Sequence, residues 1–221
     1  MRTQYLSVLL LSGLAAACPK GSRQATTTAA APAATTTAAA AGAGSTFDMA
    51  AAVRAIMPSS GSCAGAQFPD ECRTADQAAP FIAKACESLS TAECAATVAL
   101  MGLESVDMKF KHNVSPGRPG QGTANMMMPN FVSEYATDLF GAAKVAGKSP
   151  NDVLALVTPD EYNFGSAAWF LTTKCTADVR SSLKTGTDAG WIAYNSNCLG
   201  VDGTLSERLA YWNRAKTAFN L

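Results

Sequence analysis

Between Ala92 and Leu103 the chain reads AECAATVALMGL, and the only clearly polar residues in that run are Glu93 and Thr97. Ser90 and Glu93 make an S-x-x-E capping box, which marks the start of a helix. A surface helix carries one apolar stripe, whereas a helix apolar nearly all round has to be enclosed by other elements. The fold must therefore be built around this helix. Its last turn delivers Glu104 and Ser105 out of the interior. Desolvation and the negative end of the helix dipole both disfavour a carboxylate there, so the Glu104 pKa is expected to rise. A carboxylic acid still protonated near neutrality can act as a general acid.

The chain opens MRTQYLSVLLLSGLAAAC, with one Arg, an apolar run and small residues before Cys18. This is the pattern of a secretory signal peptide over residues 1–17, and it is too short to span a membrane. Cys18 offers an alternative, a lipid anchor at the mature N-terminus. Residues 18–44 are a Thr/Ala-rich linker of a composition that cannot build a core. Residues 45–221 fit one globular domain. The formal net charge is zero and charged residues make up only 15%, without the basic footprint of a nucleic-acid binder. Six of the seven cysteines (Cys63, Cys72, Cys86, Cys94, Cys175 and Cys198) fall in the domain and imply three disulfides. Six cysteines allow 15 pairings; Cys63 with Cys72, and Cys86 with Cys94 as a staple on a helical hairpin, are candidates. With no C-x-x-C and a single histidine, no metal or other cofactor is called for.

Further helices are marked by Asp48 before residues 49–57, by the Thr74/Gln77 box, and by Pro129, Pro150 and Pro159 at first turns. Thr158 with Glu161, and Thr204 with Glu207, read as two more capping boxes. After Glu104 the period changes: Met108, Phe110, His112 and Val114 alternate with Lys109, Lys111 and Asn113, as in a strand. SPGRPGQG then supplies turn formers and TANMMM a second short segment. The expected class is α+β, mainly α: a helical domain with a small β or extended lobe and three disulfides.

Leu103-Glu104-Ser105, followed by Gly122-Thr123-Ala124-Asn125-Met126-Met127-Met128-Pro129 and later by Tyr162-Asn163-Phe164-Gly165, resembles the order of motifs in the lysozyme-like superfamily. Goose-type lysozymes and soluble lytic transglycosylases are the most similar branch. The linker and the SPGRPGQG stretch also resemble secreted fungal proteins. The resemblance implies a secreted glycosidase or lytic transglycosylase, a monomer without cofactor, cutting β-1,4-linked N-acetylhexosamine polymers (peptidoglycan or chitin). Glu104 would be its general acid, with Ser105, Asn125, Met127 and Tyr162 binding substrate. Asp107 is the nearest candidate for a second carboxylate, and Asp138, Asp160 and Glu161 are more remote. Alternatives are a glycan-binding or surface protein without turnover, and an effector or inhibitor of a partner protein. His112 is expected to wall a groove, Lys109 and Lys111 to be a solvated strand face, and Trp169 and Trp212 to pack in the core. Asn113-Val114-Ser115 is an N-glycosylation acceptor pattern.

Overall fold

The computed structural model describes residues 47–221; the expected signal peptide, Cys18 and the expected linker lie outside them. Ten α-helices are found among the described residues: α1 Met49–Ile56, α2 Ala75–Cys86, α3 Thr91–Glu104, α4 Pro129–Phe140, α5 Ala142–Val145, α6 Pro150–Val157, α7 Asp160–Lys174, α8 Ala177–Leu183, α9 Asp188–Tyr194 and α10 Ser206–Phe219. A π-helical turn, Asn195–Leu199, continues α9. The protein is mainly helical, as its capping signals indicate. Asp48 caps α1 through Ala51 N, and both Thr74/Gln77 and Ser90/Glu93 close as reciprocal boxes. The two other boxes do not form. Asp202, not Thr204, organises the turn before α10, and α7 starts after Pro159 without a side-chain cap.

Helix α3 is the axis of the molecule. Every residue from Ala92 to Gly102 is buried, and the helix packs against α1, α2, α7, α8 and α10. Small residues at Ala92, Ala95, Ala96 and Ala99 let its neighbours close in, and Trp191 and Trp212 stack 5.3 Å apart behind it, fully buried. A second apolar cluster joins α4, α6 and α7 through Val132, Tyr135, Val153, Leu154, Val157 and Phe170. Three disulfides tie the helices: Cys63–Cys72, Cys86–Cys94 and Cys175–Cys198. The last closes 23 residues, and its removal as a double Cys→Ser variant is expected to cost about 3 kcal/mol in chemical denaturation.

The one charge inside α3 is fully compensated. Glu93 is 1% exposed; its carboxylate accepts from the Ser90 backbone N–H and from Arg180 Nε at 2.8 Å. Burial pushes the Glu93 carboxyl up, but the Ser90 N–H, Arg180 and the Ser90 hydroxyl together hold it below its ordinary 4.5. Asp160 is likewise lowered, burial being outweighed by Arg73 and Lys111. Carboxyls depressed in the folded state stabilise fully above their unfolded pKa and lose that contribution as pH falls through the folded value. Tm is therefore expected to be flat from about pH 8 to 6 and to fall between about pH 5 and 3; a Tm unchanged down to pH 3 would contradict this.

The expected β lobe is not seen. Among the described residues pairing is limited to isolated bridges, His112 with Gly122 and Gly122 with Met127. Val106, Asp107 and Met108 all adopt left-handed conformations, with φ of 54°, 55° and 62°. The alternating stretch 108–114 thus starts out of a tight left-handed turn and pairs only at His112, so no strand forms. Nor are the two lysines a solvated face. Lys111 is 8% exposed and pairs with Asp160 at 2.9 Å, and Lys109 Nζ donates to the carbonyls of Ser59 and Ser62.

Candidate functional site

Helix α3 ends where two hollows meet. One, of about 230 Å3, is lined by Leu100, Met127, Phe131, Phe170, Leu199 and Val201 among others; its neighbour, about 310 Å3, by Phe68, Val106, Phe110 and Val114. Both are also lined by Glu104, Gln121 and Met126. The two hollows, together termed the trench, are thus neighbours that meet at Glu104, Gln121 and Met126, a polar waist with apolar lining to either side.

Local structure fixes that position. The left-handed turn after Glu104 is costly for non-glycine residues, roughly 1–2 kcal/mol each, and is held by several bonds. Ser105 Oγ donates to Met101 O at 2.6 Å and accepts from Met108 N at 2.8 Å. The Asp107 carboxylate accepts from Ser59 N, the Ser59 hydroxyl and Tyr211 Oη at 3.0, 2.7 and 2.6 Å. Burial, reinforced by donation to Asp107, pushes the Tyr211 phenol above its ordinary value.

The opposite wall comes from residues 121–128. Gly122 sits where a Cβ would lie 2.7 Å from Leu154 Cδ1 and 3.0 Å from Lys111 O, so only glycine lets this segment approach. Gly122→Ala is expected to lose about 2 kcal/mol and, with the wall displaced, ligand binding as well; a thermal melt and a titration check both.

The expected site residues separate. Glu104, Asn125 and Met127 line the trench. Asn125 is 8% exposed, its Oδ1 accepting from Ser166 Oγ at 2.6 Å. Ser105 is buried and spent on the turn. Asp107 is no second acid, because it clamps Ser59 and Tyr211. Tyr162 lies elsewhere, edge-on to Phe140 at 5.1 Å. Asp160 holds Arg73 and Lys111, and Asp138 accepts from Trp169 Nε1.

The decisive neighbour of Glu104 is Arg208, on α10. Its Nη2 donates to Glu104 Oε1 at 2.7 Å and its Nη1 to Asn195 Oδ1 at 3.1 Å. The Arg208 side chain is 10% exposed, Glu104 27%. Arg208 Nε and the Tyr194 hydroxyl, both buried, have no partner among protein atoms. Arg208 occupies a core position of α10, on the buried side shared with Trp212, Ala215 and Phe219. An arginine on that apolar stripe was the sequence signal for a buried ion pair. Arg208→Met is expected to cost about 2–3 kcal/mol, mostly from stranding Glu104, readable in urea unfolding.

A protein of Fusarium oxysporum (strain Fo5176) described as a bifunctional dioxygenase (DOX)-epoxy alcohol synthase (EAS) is 49% identical to the chain over 158 residues. The match takes in 66% of this chain and 12% of the relative's length. No family model and no solved structure matches. The lysozyme-like resemblance and the glycoside-hydrolase activity it implied are therefore set aside: the relative carries an oxidative description, and the expected general acid is an arginine-bound carboxylate without a second acid beside it.

Proposed function

We propose that the chain is a disulfide-stapled ligand-binding module exported from the cell, whose trench takes an elongated apolar molecule bearing internal oxygen functions. The epoxy alcohols named in the Fusarium relative's description are of that class. The observation that carries this reading is the waist of the trench, where Glu104, which lines both hollows, pairs with Arg208, which lines one of them and whose buried Nε has no protein partner. A buried donor without a protein partner calls for a water or a ligand to satisfy it. A ligand hydroxyl can donate to Glu104, and an epoxide oxygen, which only accepts, suits a guanidinium donor of Arg208. Three disulfides fit an oxidising compartment, no helix among the described residues is long and apolar enough to cross a membrane, and the N-terminal pattern supports export.

Oxygenation by O2 usually relies on a redox-active metal or organic cofactor. The donor set here does not suit a resident metal. The six described cysteines are in disulfides, and among the described residues no three His, Cys, Asp or Glu side chains converge. A stretch spanning 12% of a bifunctional relative also fits an appended module better than a catalytic half.

Titration of the full chain with an epoxy alcohol on an unbranched alkyl chain, followed by calorimetry, tests this. Saturable binding is expected, at least about 10-fold weaker in Glu104→Gln, as for loss of a charged hydrogen-bond partner, and absent in Val201→Trp, which fills one hollow. Equal affinity in all three proteins would refute it. A second reading, direct participation in oxygenation, is favoured by the relative's description; O2 uptake by this chain with an unsaturated alkyl substrate would support it.

A further inference from the structure

A hollow larger than either half of the trench lies elsewhere among the described residues. A cleft of about 740 Å3 opens beside the trench, across the wall made by Asn113 and Val114, and is lined by Asp70, Glu71, His112, Arg118, Asn151 and Leu154 among others. It holds the chain's single histidine. Glu71 Oε2 accepts from Lys111 N at 2.9 Å and lies 2.8 Å from His112 Nδ1. A carboxylate oxygen held in this way is an acceptor, so Nδ1 carries the imidazole proton and the Nε2 lone pair is left bare. Glu71 is mostly buried and fixed by a backbone N–H, whereas His112 is 38% exposed.

The other charges of the cleft are unevenly spent. Lys111 is committed to Asp160 at 2.9 Å. Arg118 makes no ion pair among the described residues; its Nη1 meets only Met128 Sδ at 3.2 Å. The cleft lining thus includes a guanidinium with no carboxylate partner among the described residues and an oriented imidazole able to accept a hydrogen bond. Asp70 and Glu71 in the same lining work against a plain polyanion. A small ligand with one carboxylate and one hydroxyl suits both features.

We propose that this cleft is a second binding site, for a small hydroxy acid, with Arg118 on the carboxylate and His112 Nε2 accepting from the hydroxyl while Glu71 positions the ring. It stands independently of the trench reading. Because the chain has one histidine, imidazole 15N spectra report on this site alone. The neutral imidazole of the free protein is expected to be the Nδ1-protonated tautomer, shifting to the other in part in Glu71→Gln.

Glycolate is expected to perturb the His112 signals saturably, with Kd on the order of 1–10 mM for so small a ligand. Acetate, lacking the hydroxyl, should bind about 5- to 10-fold more weakly, and Arg118→Gln should abolish the response to both. An Nε2-protonated ring in the wild type, equal affinity for glycolate and acetate, or no saturable shift up to roughly 100 mM glycolate would overturn the assignment.

Discussion

Asp107→Ala is expected to lower stability by about 3–4 kcal/mol, with Tm falling by roughly 6–14 °C for a chain of this size. One carboxylate holds the Ser59 backbone N–H, the Ser59 hydroxyl and the Tyr211 phenol, and is itself 7% exposed. Its loss removes three hydrogen bonds from part-buried donors to a charged acceptor, each worth about 1–1.5 kcal/mol. It also releases the three left-handed residues 106–108, whose strain persists only where surroundings over-determine it. Tyr211→Phe removes one of those bonds and is expected to cost only about 1–2 kcal/mol. The double variant should fall short of the sum, because the two residues share a contact. A loss below about 1 kcal/mol for Asp107→Ala would mean that the turn holds itself. Since this turn directly follows Glu104, the variant is also expected to weaken ligand binding in whatever fraction remains folded.

Gly190→Ala is expected to be at least as damaging, about 3 kcal/mol or more and possible only with backbone movement. A Cβ at Gly190 would lie 2.3 Å from Ser182 O and 3.1 Å from Leu183 Cα. Both obstacles are backbone, at the crossing of α8 and α9, and no rotamer change relieves them. The next residue is Trp191, fully buried and stacked on Trp212 behind α3, so any shift of α9 reaches the core. Near-ultraviolet circular dichroism, which reads the packed tryptophans, should lose intensity together with the fall in Tm. An unchanged spectrum and a Tm within about 2 °C of wild type would contradict the close crossing.

Local signals carried the helical frame. The boxes at Thr74 and Ser90, the prolines opening α4 and α6, and the unbroken apolar face of α3 each report a short-range preference that the folded chain satisfies. Cys63–Cys72 and Cys86–Cys94 were legible because their partners are close in sequence, whereas Cys175–Cys198 depends on how α7 and the π-turn meet. The alternation from Met108 to Val114 misled, because a period of two says nothing about left-handed residues at 106–108 that are stabilised by Ser59 and Tyr211, 48 and 104 residues away from Asp107. Lys111 looked solvated for the same reason: its partner, Asp160, lies far along the chain. Glu104 was legible as a singular residue, but its meaning was not. Desolvation alone argued for a protonated acid, and Arg208, 104 residues away in sequence, changes it into half of an ion pair. The motif order that resembled lysozyme-like enzymes came from the same short stretches and carried no information about that partner.

Methionine methyl NMR of the full chain during addition of an epoxy alcohol probes the trench itself. Met126 and Met127 line it, while Met57 and Met101 are sealed in the main core. Saturable shifts are expected at Met126 and Met127, with Met57 and Met101 still, and the response should shrink in Glu104→Gln. Methyl signals that stay put throughout, or that move alike in core and trench, would leave the waist between Glu104 and Arg208 with no ligand to hold.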